Sequence, residues 1–218
     1  MEEIIIVENE TVRQIGFGKN RMESLSDCIF AFSMTLLVLG VDLTGDINGL
    51  TQVQVTGALL DQVPDLIHYI IAFLVIATLW VIHHIQFHKI RYVDHKFLWL
   101  NIISLLFVAL LPFSTNLVGD FPNFTICAII FELNLLVASG FFYLQWWYAS
   151  SDFRLVDPAT PGQVIKIGNQ RALVIPALSG IGIIFAIAGF EWSSLIYLFA
   201  PCTFVIIELY GVPFKATS

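Results

Sequence analysis

Long runs of apolar residues, interrupted by short polar segments, dominate the chain. A helix that crosses a membrane needs about 20 mostly apolar residues, and six stretches have that length. We predict spans at approximately 22–43, 65–88, 96–118, 124–149, 170–189 and 192–211. Gly, Pro, Asn and Asp punctuate the gaps, as in DLTGDINGL, GDFPN and DPATPG. The pattern predicts an all-α integral membrane protein with six transmembrane helices, forming a single domain over 1–218 with a short cytosolic N-terminal segment, 1–20.

The composition agrees with a membrane protein and narrows the possible partners. Hydrophobic residues make up 57% of the 218 residues and charged residues only 12%, whereas an ordinary soluble domain carries about 25% charged residues. A net charge of −7 disfavours a nucleic-acid partner, which would select a basic surface. The three cysteines are far apart in the sequence, so they predict neither a disulfide framework nor a thiolate metal site. The acidic start of the chain is unlike that of a cleaved signal peptide.

The distribution of lysine and arginine predicts the orientation in the bilayer. All ten of these residues precede span one, lie around the connections between spans two and three and between spans four and five, or follow span six. The other three connections contain none. Because cytosolic segments of membrane proteins are enriched in Lys and Arg, we expect the N- and C-termini on the cytosolic side, as six spans require.

The first span, within RMESLSDCIFAFSMTLLVLG at 21–40, has two faces. At about 100° per residue, an apolar stripe with Thr35 at its edge runs along one side. Its members are Leu25, Ile29, Phe32, Leu36, Leu39 and Leu43. Such a stripe is compatible with contact to lipid or to another helix. In an oligomer that encloses a pore, it would instead form a hydrophobic constriction that gates by dewetting. The periodicity alone does not choose among these.

A second face of this span is polar near the N-terminal end, where Ser26 and Asp27 follow Arg21. An ionisable side chain inside a membrane is costly and normally faces the bundle with a partner, whereas Arg21 can extend to the headgroups. Four residues of spans two and three reach the same depth and carry N–H donors for a carboxylate: Trp80, His83, His84 and Asn101. We predict that these donors, with one of the two histidines, form an inter-helix network with Ser26 and Asp27.

Two other interpretations of the histidines compete with this network. His84 and His88 are spaced i, i+4, as in metalloprotease helices, but Ile85 stands where that motif has Glu. Neither a metal site nor an enzyme is therefore predicted, and no cofactor is expected. In a proton-coupled transporter, Asp27 and the histidines would relay protons. Such transporters contain paired broken helices at mid-membrane, and the prolines here do not form that pattern.

Several segments resemble the transmembrane protein 175 family of potassium channels. RMESLSD resembles the R-x-x-x-F-S-D signature that opens the first helix of that family, with Arg21, Ser26 and Asp27 at signature positions. LWVIHH, WLNIISLLFVALLPFSTNLVG and NQRALVIP resemble the later helices, in the same order. The resemblance spans essentially the whole chain.

This resemblance implies a fold and a function. Members of the family are six-helix units whose ion path is lined by the first helix. Prokaryotic members carry one unit per chain in a homotetramer, whereas animal members carry two and work in endosomes and lysosomes. The family lacks the TVGYG filter of other potassium channels. Its pore is constricted by bulky apolar side chains that match Phe32, Leu36 and Leu39, and a conserved threonine beside them matches Thr35.

The chain departs from the family pattern at two positions. Leu25 replaces the Phe of the signature, and Phe32 stands where an aliphatic residue is usual, so we expect a tighter or differently selective constriction. The resemblance implies a potassium-preferring cation channel, homotetrameric, in the plasma membrane of a prokaryote. Its partners would be further copies of itself, permeant K⁺ and the lipid bilayer. Proton passage through the same path is left open, and a proton-coupled transporter that uses Asp27 and the histidines is the alternative.

Overall fold

The computed structural model describes residues 18–41, 51–190, 193–201, 203 and 206–207. Six α-helices follow one another: α1 Lys19–Leu36, α2 Gln52–Asp61, α3 Val63–Lys89, α4 His95–Asp120, α5 Thr125–Ser150 and α6 Gly162–Ile187. Short 3₁₀ segments extend α1 at Leu37–Gly40, follow α5 at Ser151–Phe153, and come after α6 at Ser193–Leu198. No β-strand occurs within the described ranges, which confirms the prediction of an all-α fold.

Five helical stretches of the described part are long and apolar enough to cross a membrane. They are Lys19–Gly40, Gln52–Lys89, His95–Asp120, Thr125–Phe153 and Gly162–Ile187, and they match predicted spans one to five. The sixth predicted span, 192–211, lies partly outside the described residues. Its described positions, from 193 to 201 and at 203, 206 and 207, are helical. The stripe residue Leu43 also lies outside the described residues.

The predicted start of the fifth span was wrong by about two helical turns. We predicted 170, but α6 begins at Gly162 after Pro161. The segment GQVIKIGNQ contains polar residues that are typical of a loop. The prediction therefore placed it outside the helix. As a result Arg171, which the prediction places at the membrane edge, is a buried residue within α6.

Helix α2 was not predicted, since its residues fall in the gap between spans one and two. It begins with a capping box in which the Thr51 backbone N–H donates to Gln54 Oε1 at 2.9 Å and the Thr51 hydroxyl lies 2.9 Å from the same atom. This pairing of Thr with Gln three residues later is a sequence signal for a helix start. None of the α2 residues is buried in the protomer.

The core of the bundle is built around α5, which packs most extensively against α4 and α6. Every transmembrane helix contributes fully buried apolar side chains to it. Examples are Phe30 from α1, Val75 and Leu79 from α3, Val108 and Leu111 from α4, Leu135 and Phe142 from α5, and Ile175 from α6. The chain therefore has its own hydrophobic core, and α1 packs against it along one side only.

The connections at one end of the bundle are tied to each other. Ile90, after α3, forms an antiparallel bridge with Val156, which lies between α5 and α6. Asp94 caps α4 by accepting from the Phe97 backbone N–H at 2.8 Å, and it also accepts from the Tyr148 hydroxyl at 2.5 Å. These contacts fix the end of α3 and the start of α4 relative to α5. We call this the basic end, because its connections carry arginines, and we expect it on the cytosolic side.

Replacing Gly168 with alanine is expected to destabilise the protein. A Cβ at this position in α6 would lie 2.5 Å from the ring of Trp146, a buried α5 residue whose indole N–H donates to Ile165 O at 3.3 Å. Overpacking of this kind costs roughly 1–3 kcal/mol, and about 1 kcal/mol lowers the Tm of a chain of this size by roughly 2–4 °C. Thermal denaturation in detergent measures the effect.

Gly140 provides the matched control for this prediction. It lies inside α5, and a Cβ there would meet nothing within 4 Å. Gly140→Ala should therefore leave the Tm unchanged or raise it, because alanine favours a helix over glycine by about 0.5–1 kcal/mol. Equal effects of the two substitutions would contradict the packing described here.

Candidate ion pathway and inter-helix network

Helix α1 has a buried face and an exposed face. The buried side chains follow helical spacing and comprise Met22, Ser26, Phe30, Ser33 and, in the 3₁₀ extension, Leu37. Phe30 stacks on Phe142 of α5 at 5.8 Å between ring centroids. The buried face thus attaches α1 to the rest of the protomer and leaves its other side uncovered.

Most of the described apolar stripe occupies the uncovered side of α1, whereas its member Ile29 is half-buried and packs against the core. Phe32 is 68% exposed, Leu36 45% and Leu39 70%. Thr35 is also exposed, and its hydroxyl donates to Phe32 O at 2.9 Å. That bond leaves the lone pairs of the hydroxyl oxygen available on the same face. The structure therefore places all four predicted pore residues together on one continuous surface of the protomer.

The first polar contact between helices joins α1 to α3. The indole N–H of Trp80 donates to Asp27 Oδ1 at 2.8 Å. The ring of His84 stacks on Trp80 with centroids 5.7 Å apart, and His84 Nδ1 lies 3.8 Å from a carboxylate oxygen of Glu23. His84 thus supports the position of Trp80 instead of donating to Asp27 itself.

The second polar contact joins α1, α3 and α4 through Asn101. Asn101 Nδ2 donates to Ser26 Oγ at 3.1 Å, and Asn101 Oδ1 lies 3.2 Å from His83 Nε2. A carbonyl oxygen can only accept, so His83 donates from Nε2. Ser26, His83 and Asn101 are all buried. Of the two histidines left open by the sequence, the structure brings His83 to this contact.

Aromatic rings surround His83 on several sides. Its ring centroid lies 4.1 Å from that of Phe87, 5.7 Å from that of Phe30 and 5.6 Å from that of Phe142. This enclosure excludes water from the ring, so the hydrogen bond to Asn101 is its polar anchor. The remaining signature residue, Arg21, is exposed in the first turn of α1.

Other polar contacts between helices involve residues outside the predicted network. Gln145 of α5 donates to Ser104 Oγ at 2.8 Å, and Asn134 of α5 donates to Ser114 Oγ at 3.0 Å. These polar residues recur on the facing sides of α4 and α5. Isolated polar residues within apolar spans are the sequence feature that would have indicated these contacts. The Asn116 side chain lies directly against Gly40, where a Cβ would overlap its Oδ1. This contact fixes the end of α1 against α4.

The described residues contain no group of three or more His, Cys, Asp or Glu side chains that could hold a metal ion. His84, one of the two histidines considered as metal ligands, is instead engaged with Trp80 and Glu23.

Comparison with known proteins identifies the family. The family model described as the endosomal/lysosomal potassium channel TMEM175 matches residues 21–112. A potassium channel of Streptomyces collinus is 30% identical over 157 residues, which cover 69% of this chain and 74% of that protein. The chain belongs to the TMEM175 family. This confirms the resemblance read from the signature and later segments.

The TMEM175 fold is also shared by a solved structure. The crystal structure of a lysosomal potassium-selective channel TMEM175 homolog from Chamaesiphon minutus matches with a TM-score of 0.73 at 22% identity, covering 89% of this chain and 98% of that one. The chain is therefore a multi-pass membrane protein with the TMEM175 fold. The family is one of ion channels, so the chain is not an enzyme.

Animal relatives within the TMEM175 family carry a different description. The mouse protein, named an endosomal/lysosomal proton channel, is 27% identical over 212 residues. These cover 90% of this chain but 40% of the mouse protein. One copy of this chain thus spans less than half of that relative.

Proposed function

We propose that the chain is a potassium-preferring cation channel of a prokaryotic plasma membrane, formed by four copies with α1 around a shared axis. The observation that carries the proposal is the stripe of Phe32, Leu36 and Leu39, which stays uncovered while the opposite side of α1 is bound to α3, α4 and α5. A protomer that anchors α1 so firmly on one side presents a fixed surface on the other. Four such surfaces around an axis would enclose a narrow apolar path.

Thr35 is compatible with a pore lining. Its hydroxyl lies on the stripe between the apolar side chains, and its hydrogen is used within α1. A ring of such oxygens would offer partial solvation to a cation at the constriction.

The apolar constriction favours K⁺ over Na⁺ by the cost of dehydration. An ion that passes a ring of Leu and Phe side chains must shed part of its water, and K⁺ sheds water at a lower cost than Na⁺ because it is larger. Hydrophobic constrictions also close by dewetting, so the same ring would serve as a gate. In this mechanism Asp27 and its partners hold the helix and do not touch the ion.

Liposome flux tests the proposal and separates it from the proton-coupled transporter. The purified chain should release K⁺ down its gradient faster than Na⁺, without a pH gradient across the membrane. Uptake that requires a pH gradient would instead favour a transporter using Asp27 and the histidines. The absence of any cation flux in liposomes that contain folded protein would exclude the channel. Proton flux is measured in the same vesicles with a pH-sensitive dye.

A further inference from the structure

Glu132 lies deep in the bundle, away from the exposed face of α1. It follows the start of α5 by seven residues, which corresponds to about 10 Å along the helix. Its side chain is completely buried, and its Oε2 forms a hydrogen bond with the hydroxyl of Tyr197. The other oxygen, Oε1, has no hydrogen-bond partner among the described residues.

The Tyr197 hydroxyl is shared between Glu132 and Ser179. The Tyr197 hydroxyl also lies 3.1 Å from Ser179 Oγ. Ser179 Oγ also lies 3.0 Å from Ile175 O, so its single hydrogen has two acceptors in reach, Ile175 O and the Tyr197 oxygen. Tyr197 has a single hydroxyl hydrogen, which cannot serve Ser179 and Glu132 together. When Ser179 donates to Ile175 O and Tyr197 donates to Ser179, a proton on Glu132 Oε2, donated to the Tyr197 oxygen, completes the chain of hydrogen bonds.

The surroundings of Glu132 favour a neutral group. Helix α6 contributes Ser179 and Gly182, neither of which titrates, and a Cβ at Gly182 would overlap the carboxyl group. The carboxyl therefore fills the space above this glycine. The ion pairs His84–Glu23 and Arg91–Asp157 both lie elsewhere in the described part of the chain. A buried carboxylate without a cation is costly, whereas a carboxylic acid with one unpaired carbonyl oxygen costs far less.

A small cavity lined by neighbours of this site lies toward the end of the bundle opposite the basic end. It has a volume of about 10 Å³, close to that of one water molecule, and Phe131, Ser194, His68 of α3 and Thr115 of α4 line it. Ser194 is only 6% exposed, and its hydroxyl has no partner among the described residues. Ser194 and Tyr197 are three apart in a 3₁₀ segment, so they lie on the same side of it. His68 is the titratable group at this cavity, and Asp65 lies close enough to influence it.

We propose that Glu132, Tyr197 and Ser179 form a proton-binding site inside each protomer. The ligand is a single proton held on Glu132 Oε2 between α5, α6 and the Ser193–Leu198 segment. The site lies apart from the exposed face of α1, so it belongs to the protomer whether or not four copies enclose a pore. Proton binding by this chain would then have a location separate from the ion path.

Infrared spectroscopy of the full chain in lipid tests this site directly. At neutral pH, the difference spectrum between the natural protein and Glu132→Gln should contain the C=O stretch of a protonated carboxylic acid. Gln keeps the shape and the hydrogen-bonding capacity of the neutral acid, so the fold is expected to survive. Asp61→Asn, which changes an exposed carboxylate on α2, is the matched control and should remove no such band. A difference spectrum that lacks the carboxylic acid band would overturn the proposal.

Tyr197→Phe provides a second test that does not depend on the folding of the Glu132 variant. This substitution keeps the ring that packs on Phe131 and removes the oxygen that accepts from Glu132. The carboxylic acid band should persist but shift in frequency, because the acid loses its hydrogen-bond acceptor. A band that is absent, or identical to that of the natural protein, would contradict the assignment to Glu132.

Discussion

Truncation of Leu36 or Leu39 to alanine is expected to raise K⁺ flux about tenfold and to weaken the preference for K⁺ over Na⁺. Tenfold corresponds to a barrier lowered by about 1.4 kcal/mol. In the proposed tetramer each substitution removes four bulky side chains from one level of the path. The wider constriction would hold more water, so ions would pass with more of their hydration shell. The flux of Na⁺ would rise more than that of K⁺, because Na⁺ is more costly to dehydrate.

Leu106→Ala is the matched control for this prediction. Leu106 lies on α4 and is 56% exposed, so it resembles Leu36 and Leu39 in residue type and exposure but lies on another helix. Its truncation should leave flux and selectivity unchanged in the same liposome assay. If all three variants conduct like the natural protein, the stripe does not line the path.

Replacement of Asn101 by alanine is expected to lower the Tm by roughly 4–8 °C. Asn101 lies on α4 and forms hydrogen bonds with Ser26 of α1 and His83 of α3. Its loss leaves the buried His83 N–H without an acceptor, and an unsatisfied buried donor costs about 2 kcal/mol. For a chain of this size that cost corresponds to the stated fall in Tm. The K⁺ to Na⁺ ratio of the folded fraction should not change, because Asn101 does not face the path.

Asn123 offers an exposed asparagine for comparison. It lies in the turn between α4 and α5, and Asn123→Ala should have little effect on the Tm. A selectivity change in Asn101→Ala comparable to that of the leucine variants would mean that the network contacts the ion. An unchanged Tm would show that the three helices do not depend on this side chain.

The sequence predicts the number and the helical character of most spans, because the bilayer restricts which backbone structures can cross it. Each span must be long, apolar and helical, so spans one to five are found from composition alone. The two faces of α1 follow from the same periodicity, since Ser26 and Phe30 lie on one side and Phe32 and Leu39 on another. The resemblance of RMESLSD to a family signature then indicates what the exposed face does.

Features that depend on pairing between distant residues are harder to predict. The choice between His83 and His84 is made by the rotation of α3 against α4, which a single helical pattern does not specify. The hydrogen bonds of Glu132 with Tyr197 need two segments that are 65 residues apart in sequence. Helix α2 and the early start of α6 were missed because their polar residues are typical of loops.

Native mass spectrometry of an oxidised Leu39→Cys variant tests the central claim, that the exposed face of α1 surrounds a shared axis. The variant is made with the native cysteines replaced by alanine. We predict a particle of four chains that dissociates under denaturing conditions into disulfide-linked pairs, since one cysteine per chain can link only two chains. The same treatment of Leu106→Cys should give four chains without covalent pairs. A single chain, or an oligomer in which the Leu106→Cys variant forms covalent pairs and the Leu39→Cys variant does not, would contradict the account.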